Sequence, residues 1–247
     1  MTPILWLESD TPFPDPRHAI PEGLLAAGLE LNCARLEAAY RKGIYPWFSE
    51  EDPVLWWSPD PRMMLHTDQL HVSHSLAKKL RGIARQEQRP DARIRIVLNS
   101  AFSTVIQACA APRGDLHGTW IQPILQHAYT DWHHAGRAHS IETWIDDTLA
   151  GGLYGVQLGR FFFGESMFSR VTDASKIALV YLVRFLQAQG IKHIDCQQET
   201  RHLHSMGARP IPRADFLDLL NAALEHPDQH WGSGQLLYTG ELIPLLS

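Results

Sequence analysis

The chain has 247 residues, 45% hydrophobic and 20% charged; it can bury a core, as one large domain or a small one followed by a larger. Its net charge of −5 excludes a molecule that coats nucleic acid with its whole surface, so any RNA contact must be local. Three widely spaced cysteines, Cys33, Cys109 and Cys196, exclude a disulfide framework and a Cys-x-x-Cys zinc site.

No apolar run approaches the roughly 18 residues of a membrane span, and MTPILWLESD lacks a signal-peptide pattern, so a cytoplasmic protein is expected. Residues 1–62 are rich in proline and tryptophan. Asn32 is placed to cap a short helix whose Leu36, Ala39 and Tyr40 share a face, and Gly43 to end it. The segments Tyr45-Pro46-Trp47-Phe48 and Trp56-Trp57-Ser58-Pro59-Asp60-Pro61-Arg62 suit rigid surface turns. Their tryptophans either pack a small domain on a larger one or stack on a base.

Regular alternation follows. Ser73 or Ser75 opens a basic helix to about Gln88, and Arg93 to Leu98 alternates as a strand. Between Lys78 and Arg95 stand Lys78, Lys79, Arg81, Arg85, Arg89, Arg93 and Arg95 against only Glu87 and Asp91, either a solvated helix face or a phosphate-binding run. Ser100 is placed to cap a helix through Ala111, and Ile121 to Ala135 is a second, stopped by Gly136. Three strands form a meander: His139 to Asp146, turned at Asp146-Asp147 and Gly151-Gly152; Leu153 to Leu158; and Phe161 to Ser169. Thr172 or Asp173 then opens a long helix ending at Gly190, before a strand from Ile191 to Gln197.

Two strands joined by such a helix should lie parallel and adjacent. That pairing brings Glu165 and Ser169 to the same sheet edge as Asp195 and Gln197. Glu165 interrupts the apolar run FFFGESMF, where a carboxylate is costly unless it is paired, for instance with Arg170, or meets a cation from outside. Period-2 alternation puts Asp195 and Gln197 on one face and Cys196 on the other, as inert packing rather than a nucleophile. His66, His71 and His74 share no helical face with a third acidic ligand, so no metal is expected. No Gly-x-Gly-x-x-Gly, Walker or coenzyme A pyrophosphate loop occurs, so no cofactor is expected either.

Ordered motifs along residues 13–220 resemble the bacterial leucyl/phenylalanyl-tRNA–protein transferases. They include Gly43-Ile44-Tyr45-Pro46-Trp47-Phe48, Leu55-Trp56-Trp57-Ser58-Pro59-Asp60-Pro61-Arg62, Gly118-Thr119-Trp120-Ile121, His139-Ser140-Ile141-Glu142, GESMFSR at 164–170, and Ile194-Asp195-Cys196-Gln197. Two places depart from the family pattern: Leu29 and Glu30 stand where a glycine and an aspartate are common, and Leu153 where methionine is frequent. The resemblance implies an α+β fold, with a small N-terminal domain (1–62) before a mixed-sheet domain (63–247) that is acetyltransferase-like and GNAT-related.

The implied reaction moves Leu, Phe or Met from the 3′ end of an aminoacyl-tRNA to the α-amine of proteins beginning with Arg or Lys, marking them for degradation. It implies catalysis by Asp195, Gln197 and Glu165, with Gln197 on the attacking amine, Asp195 orienting it, and Glu165 on the acceptor's cation. Leu153, Met167, Leu179, Leu182, Leu186 and Ile194 would line the donor's apolar cavity, and Ser169 would lie beside it. Trp47 and Trp120 would stack on the terminal adenosine, and Lys78, Lys79, Arg81 and Arg85 would meet tRNA phosphates. No membrane or DNA partner is implied. The alternatives are an acyl-CoA-dependent N-acetyltransferase on the same scaffold, or a non-catalytic module that binds RNA or N-terminal degrons.

Overall fold

A computed structural model describes residues 4–111 and 121–244. The first of its two sheets has the order β1-β2-β4-β3, from β1 (Leu5–Leu7), β2 (Leu24–Gly28), β3 (Tyr45–Pro46) and β4 (Val54–Trp57). Helix α1 (Cys33–Tyr40) follows β2, capped by Asn32, whose side chain accepts the Arg35 N–H at 2.9 Å; Leu36, Ala39 and Tyr40 form its buried face, as the sequence predicts. The aromatic segments are a correction, because they form strands rather than surface turns. Val54 and Trp56 point inward while Leu55 and Trp57 are half-buried, and Pro46 sits on an edge strand, where a missing N–H costs nothing.

The second sheet has the order β11-β5-β10-β9-β8-β7-β6-β12-β13. Its strands are β5 (Arg62–His66), β6 (Ile94–Leu98), β7 (Ala138–Ile145), β8 (Thr148–Leu158), β9 (Phe161–Ser169), β10 (His193–Gln197), β11 (Arg209–Ile211), β12 (Gly234–Leu236) and β13 (Leu242–Pro244). All its pairings are antiparallel except β9 with β10, the parallel pair expected across the long helix α5 (Ala174–Ala188). Helices α2 (His74–Ala84) and α5 cover one face of this sheet. The other face carries the small sheet with α3 (Phe102–Ala110), α4 (Pro123–His134) and α7 (Arg213–Leu224), while the short α6 (Arg201–Ser205) follows β10. The triple phenylalanine feeds both layers: Phe162 enters the core under α5, and Phe161 and Phe163 enter the opposite one. The molecule is thus mixed α/β, and no described helix is long and apolar enough to cross a membrane.

Three local expectations change. Gly151-Gly152 is no turn, because β8 runs straight through it. The glycines are there because neighbours crowd the strand: a Cβ on Gly151 would lie 2.7 Å from the Ala174 Cβ at the start of α5. Ser100 does not cap α3; its N–H donates to Glu142, a buried carboxylate of β7 that also accepts from the Ser140 hydroxyl and the Ala101 N–H. Glu87 does not answer the basic run, because it is buried, accepting the Tyr181 hydroxyl at 2.6 Å and the Tyr238 N–H at 3.0 Å.

Candidate active site

Two strand irregularities build the site. On β9, Ser166 opposes Tyr154 and Gly164 opposes Gly155, which leaves Glu165 as the extra residue of a bulge. On β10, Asp195 opposes Met64 and Gln197 opposes Met63, which leaves Cys196 unmatched. Each bulge reverses the alternation beyond it. Phe163 and Phe168 therefore share one core, and Met167 joins the other, although 163 and 167 have the same parity.

The β9 bulge turns Glu165 toward α1 and α4. Its Oε1 accepts the Tyr40 hydroxyl at 2.7 Å and the Gln197 amide Nε2 at 2.9 Å, and its Oε2 accepts the Tyr129 hydroxyl at 3.1 Å. The two phenols also touch each other at 2.5 Å. Burial pushes the Glu165 carboxyl up to about 7, and the charge of Asp195 adds to it. The hydrogen bonds from Tyr40, Gln197 and Tyr129 work the other way. Burial foremost, then the Glu165 charge, holds both phenols well above the usual tyrosine range. Arg170, the partner the sequence suggested, is elsewhere: it donates to the Leu149 carbonyl and lies over the Phe168 ring. Glu165 has no cationic partner among the described residues.

The β10 bulge corrects the second expectation, that Asp195 and Gln197 share a face. Asp195 faces Arg62, whose Nε donates to Oδ1 at 2.8 Å and Nη2 to Oδ2 at 2.6 Å, with both side chains at most 1% exposed. Gln197 lies beyond the bulge at φ +60° and lines the cavity on the other side of the strand. The two remain joined through the backbone, because the Gln197 N–H donates to Asp195 Oδ1 at 2.8 Å. Cys196, placed by period 2 on the far face, also lines the cavity, and burial raises its thiol far above the usual range.

That cavity has a volume of about 480 Å³. Leu153, Met167, Leu179, Leu182 and Ile194 line it as expected, together with Trp47, Glu165 and Gln197. Leu186 does not: one turn beyond Leu182 on α5, it is fully buried in the core. Ser169 is exposed outside the cavity, where its hydroxyl donates to the Val171 carbonyl at 2.8 Å and accepts the Ser175 N–H near the start of α5. Lys78, Lys79, Arg81 and Arg85 lie on the exposed side of α2 or just past its end, and Lys79 pairs with Asp173 at 2.9 Å. Trp120 lies outside the described residues. Sequence reasoning missed Tyr40 and Tyr129 as partners of Glu165, Arg62 as partner of Asp195, and the rim residues Gln198, Thr200 and His202. A buried polar group inside an apolar helix face, as at Tyr40 and Tyr129, was the one available signal. Among the described residues, no cluster of three His, Cys, Asp or Glu side chains could hold a metal ion.

The geometry gives an apolar chamber bordered by a carboxylate of raised pKa and an amide tied to it. Such a site can hold a hydrophobic group beside a cationic one and hydrogen-bond a nucleophile between them. Family models described as leucyl/phenylalanyl-tRNA protein transferase and its N-terminal domain match residues 64–221 and 30–60. A leucyl/phenylalanyl-tRNA–protein transferase of Bordetella avium is 57% identical over 242 residues, covering 97% of each chain. Its namesake from Nitrosomonas eutropha is 54% identical over 226 residues, covering 91% of this chain and 93% of the relative. A crystal structure of a functionally unknown protein from Staphylococcus epidermidis overlaps 76% of this chain and 68% of its own at 8% identity and a TM-score of 0.40, too slight a likeness to bear on the acetyltransferase-like expectation. The chain belongs to the leucyl/phenylalanyl-tRNA protein transferase family.

Proposed function

We propose that this aminoacyltransferase moves Leu, Phe or Met from the 3′ end of tRNA to the α-amine of proteins that begin with Arg or Lys, with the cavity at the two bulges as its active site. The observation that carries this reading is Glu165: a half-buried carboxylate at an apolar cavity, held by three neutral donors and without a cationic partner among the described residues. An acceptor's guanidinium or ammonium supplies that cation, and the donor's side chain fills the space between Leu153, Met167, Leu179, Leu182 and Ile194.

The chemistry asks little of the protein. The ester of an aminoacyl-tRNA is already activated, and an α-amine of pKa about 7.7–8.0 is partly neutral near pH 7. The amine attacks the ester carbonyl, the bond to the ribose oxygen breaks as the amide forms, and the amine's proton is passed to the leaving ribose hydroxyl. With its Nε2 committed to Glu165, Gln197 offers Oε1 to the attacking N–H. Asp195 touches no substrate in this reading and acts through the Gln197 backbone. Trp47, exposed at the rim with Trp57 edge-on at 5.4 Å, offers a face to the terminal adenosine, with Trp120 as its counterpart.

The same reading divides the chain at residue 62 into a small domain and a GNAT-like one and places the protein in the cytoplasm. In support, one sheet ends at Trp57 and the other begins at Arg62. The decisive experiment supplies labelled Phe-tRNA and a peptide beginning with Arg. Label is expected in the peptide, and Glu165→Gln should raise the KM for that peptide while sparing the KM for Phe-tRNA. Equal loss for both substrates would remove Glu165 from the acceptor site, and binding without transfer would leave only a recognition module.

A further inference from the structure

Arg62 is the least expected residue near the site. It opens β5, is 1% exposed, and commits one edge of its guanidinium, Nε and Nη2, to Asp195. The guanidinium lies against two rings, 4.7 Å from the centroid of Tyr45 and 4.5 Å from that of Phe216. Tyr45 comes from the small sheet and Phe216 from α7, so three separate parts of the chain fix one cation. Burial works against its charge, and the Asp195 carboxylate more than offsets that. Nη1 finds no hydrogen-bond partner among the described residues. A buried ion pair is weak evidence for stability, since an apolar pair of similar volume often serves as well or better. What the pair does hold is direction. Asp195 Oδ1 takes the Gln197 N–H, Gln197 is kept at φ +60°, and its amide is thereby brought to Glu165. Left-handed backbone at a residue with a side chain persists only where its surroundings over-determine it.

We propose that Arg62 is a positioning residue for the transfer reaction: by clamping Asp195 from the far side of β10, it holds the bulge that aims the Gln197 amide at Glu165 and the acceptor amine. The proposal rests on the reading that Gln197 meets that amine. Lysine cannot substitute, because an ammonium presents neither the planar fork nor a flat face for the Tyr45 and Phe216 rings.

The test compares Arg62→Lys, Gln197→Ala, their combination, and the apolar exchange Arg62→Met with Asp195→Leu, using the full chain with Phe-tRNA and an Arg-starting peptide. Arg62→Lys should lower kcat about 10–100-fold, the scale of a misplaced reacting group, with the KM for Phe-tRNA unchanged. Added to Gln197→Ala, it should cost nothing more, because both act at one amide. The apolar exchange should melt no lower than the parent yet turn over as slowly as Gln197→Ala, an outcome a merely structural pair would not give. Parental kcat in Gln197→Ala overturns the assignment of Gln197 itself. A slow Gln197→Ala beside parental kcat in Arg62→Lys or in the apolar exchange, or losses that multiply, overturns the role of Arg62 alone. If Arg62→Lys does not fold, the apolar exchange decides.

Discussion

At the residue scale, Glu165 carries two opposed demands. In the proposed function acceptor binding needs the carboxylate, while burial favours the acid and holds the group at about 7. The folded value stands above the ordinary 4.5, so between those limits the folded state holds a proton that the unfolded chain has released. Stability therefore falls as pH rises from 4.5 to 7, by on the order of 3 kcal/mol in all, and the whole cost is present above 7. Glu165→Gln should accordingly be the more stable protein at pH 8, with the advantage shrinking toward pH 4.5; urea unfolding at both pH values measures it. The functional side has the opposite sign. An Arg-starting peptide with a blocked α-amine, which cannot react, should inhibit more tightly as pH rises through about 7 in the parent. A pH-independent inhibition constant in the parent would show that the ionised form is not what binds the cation.

At the scale of elements, the bulges explain both what could be read in advance and what could not. Parallel β9 and β10 across α5 follow from strand, helix and strand lengths alone, and Glu165 advertises itself as the one charge in an apolar run. The alternation rule then fails at Glu165 and Cys196, because an extra residue in a strand has no composition of its own to betray it. Hence Asp195 and Gln197 were assigned one face and occupy two. Partners such as Tyr40, 125 residues from Glu165, or Arg62, 133 from Asp195, depend on how separate elements dock, which local pattern does not encode. Gly155 now acquires a reason: it faces the β9 bulge, and a Cβ there would lie 2.3 Å from the Phe163 carbonyl and 2.5 Å from the Phe162 ring. Gly155→Ala should cost about 1–3 kcal/mol and raise the acceptor KM, because the segment forced to move carries Glu165. Gly164→Ala is the control, since its Cβ would meet Asp195 O at 3.5 Å and Ile194 Cγ2 at 3.7 Å, ordinary contacts. Thermal melts and acceptor kinetics on the pair test the point; equal behaviour of the two variants would deny the bulge its role.

At the scale of the whole molecule, the difficulty is that a protein of net charge −5 must hold a polyanion. The basic run resolves it only in part. Arg93 is taken up by Asp146 and Arg95 by Asp147, both in the hairpin turn after β7, while Arg89 lies near Asp91 and Lys79 pairs with Asp173. Lys78 and Arg81 on α2, with Arg85 just past its end, are exposed and form no ion pair with a described residue. Spaced by three and four, they share one side of the helix. If these three cations meet tRNA phosphates, as the proposed function has it, counterion release gives the contact a measurable signature. The logarithm of the association constant for Phe-tRNA should fall linearly with the logarithm of salt concentration, by about 0.7–0.9 per phosphate neutralised. Replacing Lys78, Arg81 and Arg85 together by alanine should reduce that slope by about 2. The kinetics of a minimal donor, phenylalanine esterified to adenosine alone, should be unchanged, since it has no acceptor stem to touch. Were the slope the same in the triple variant, α2 would be a solvated face and the tRNA would have to be held elsewhere.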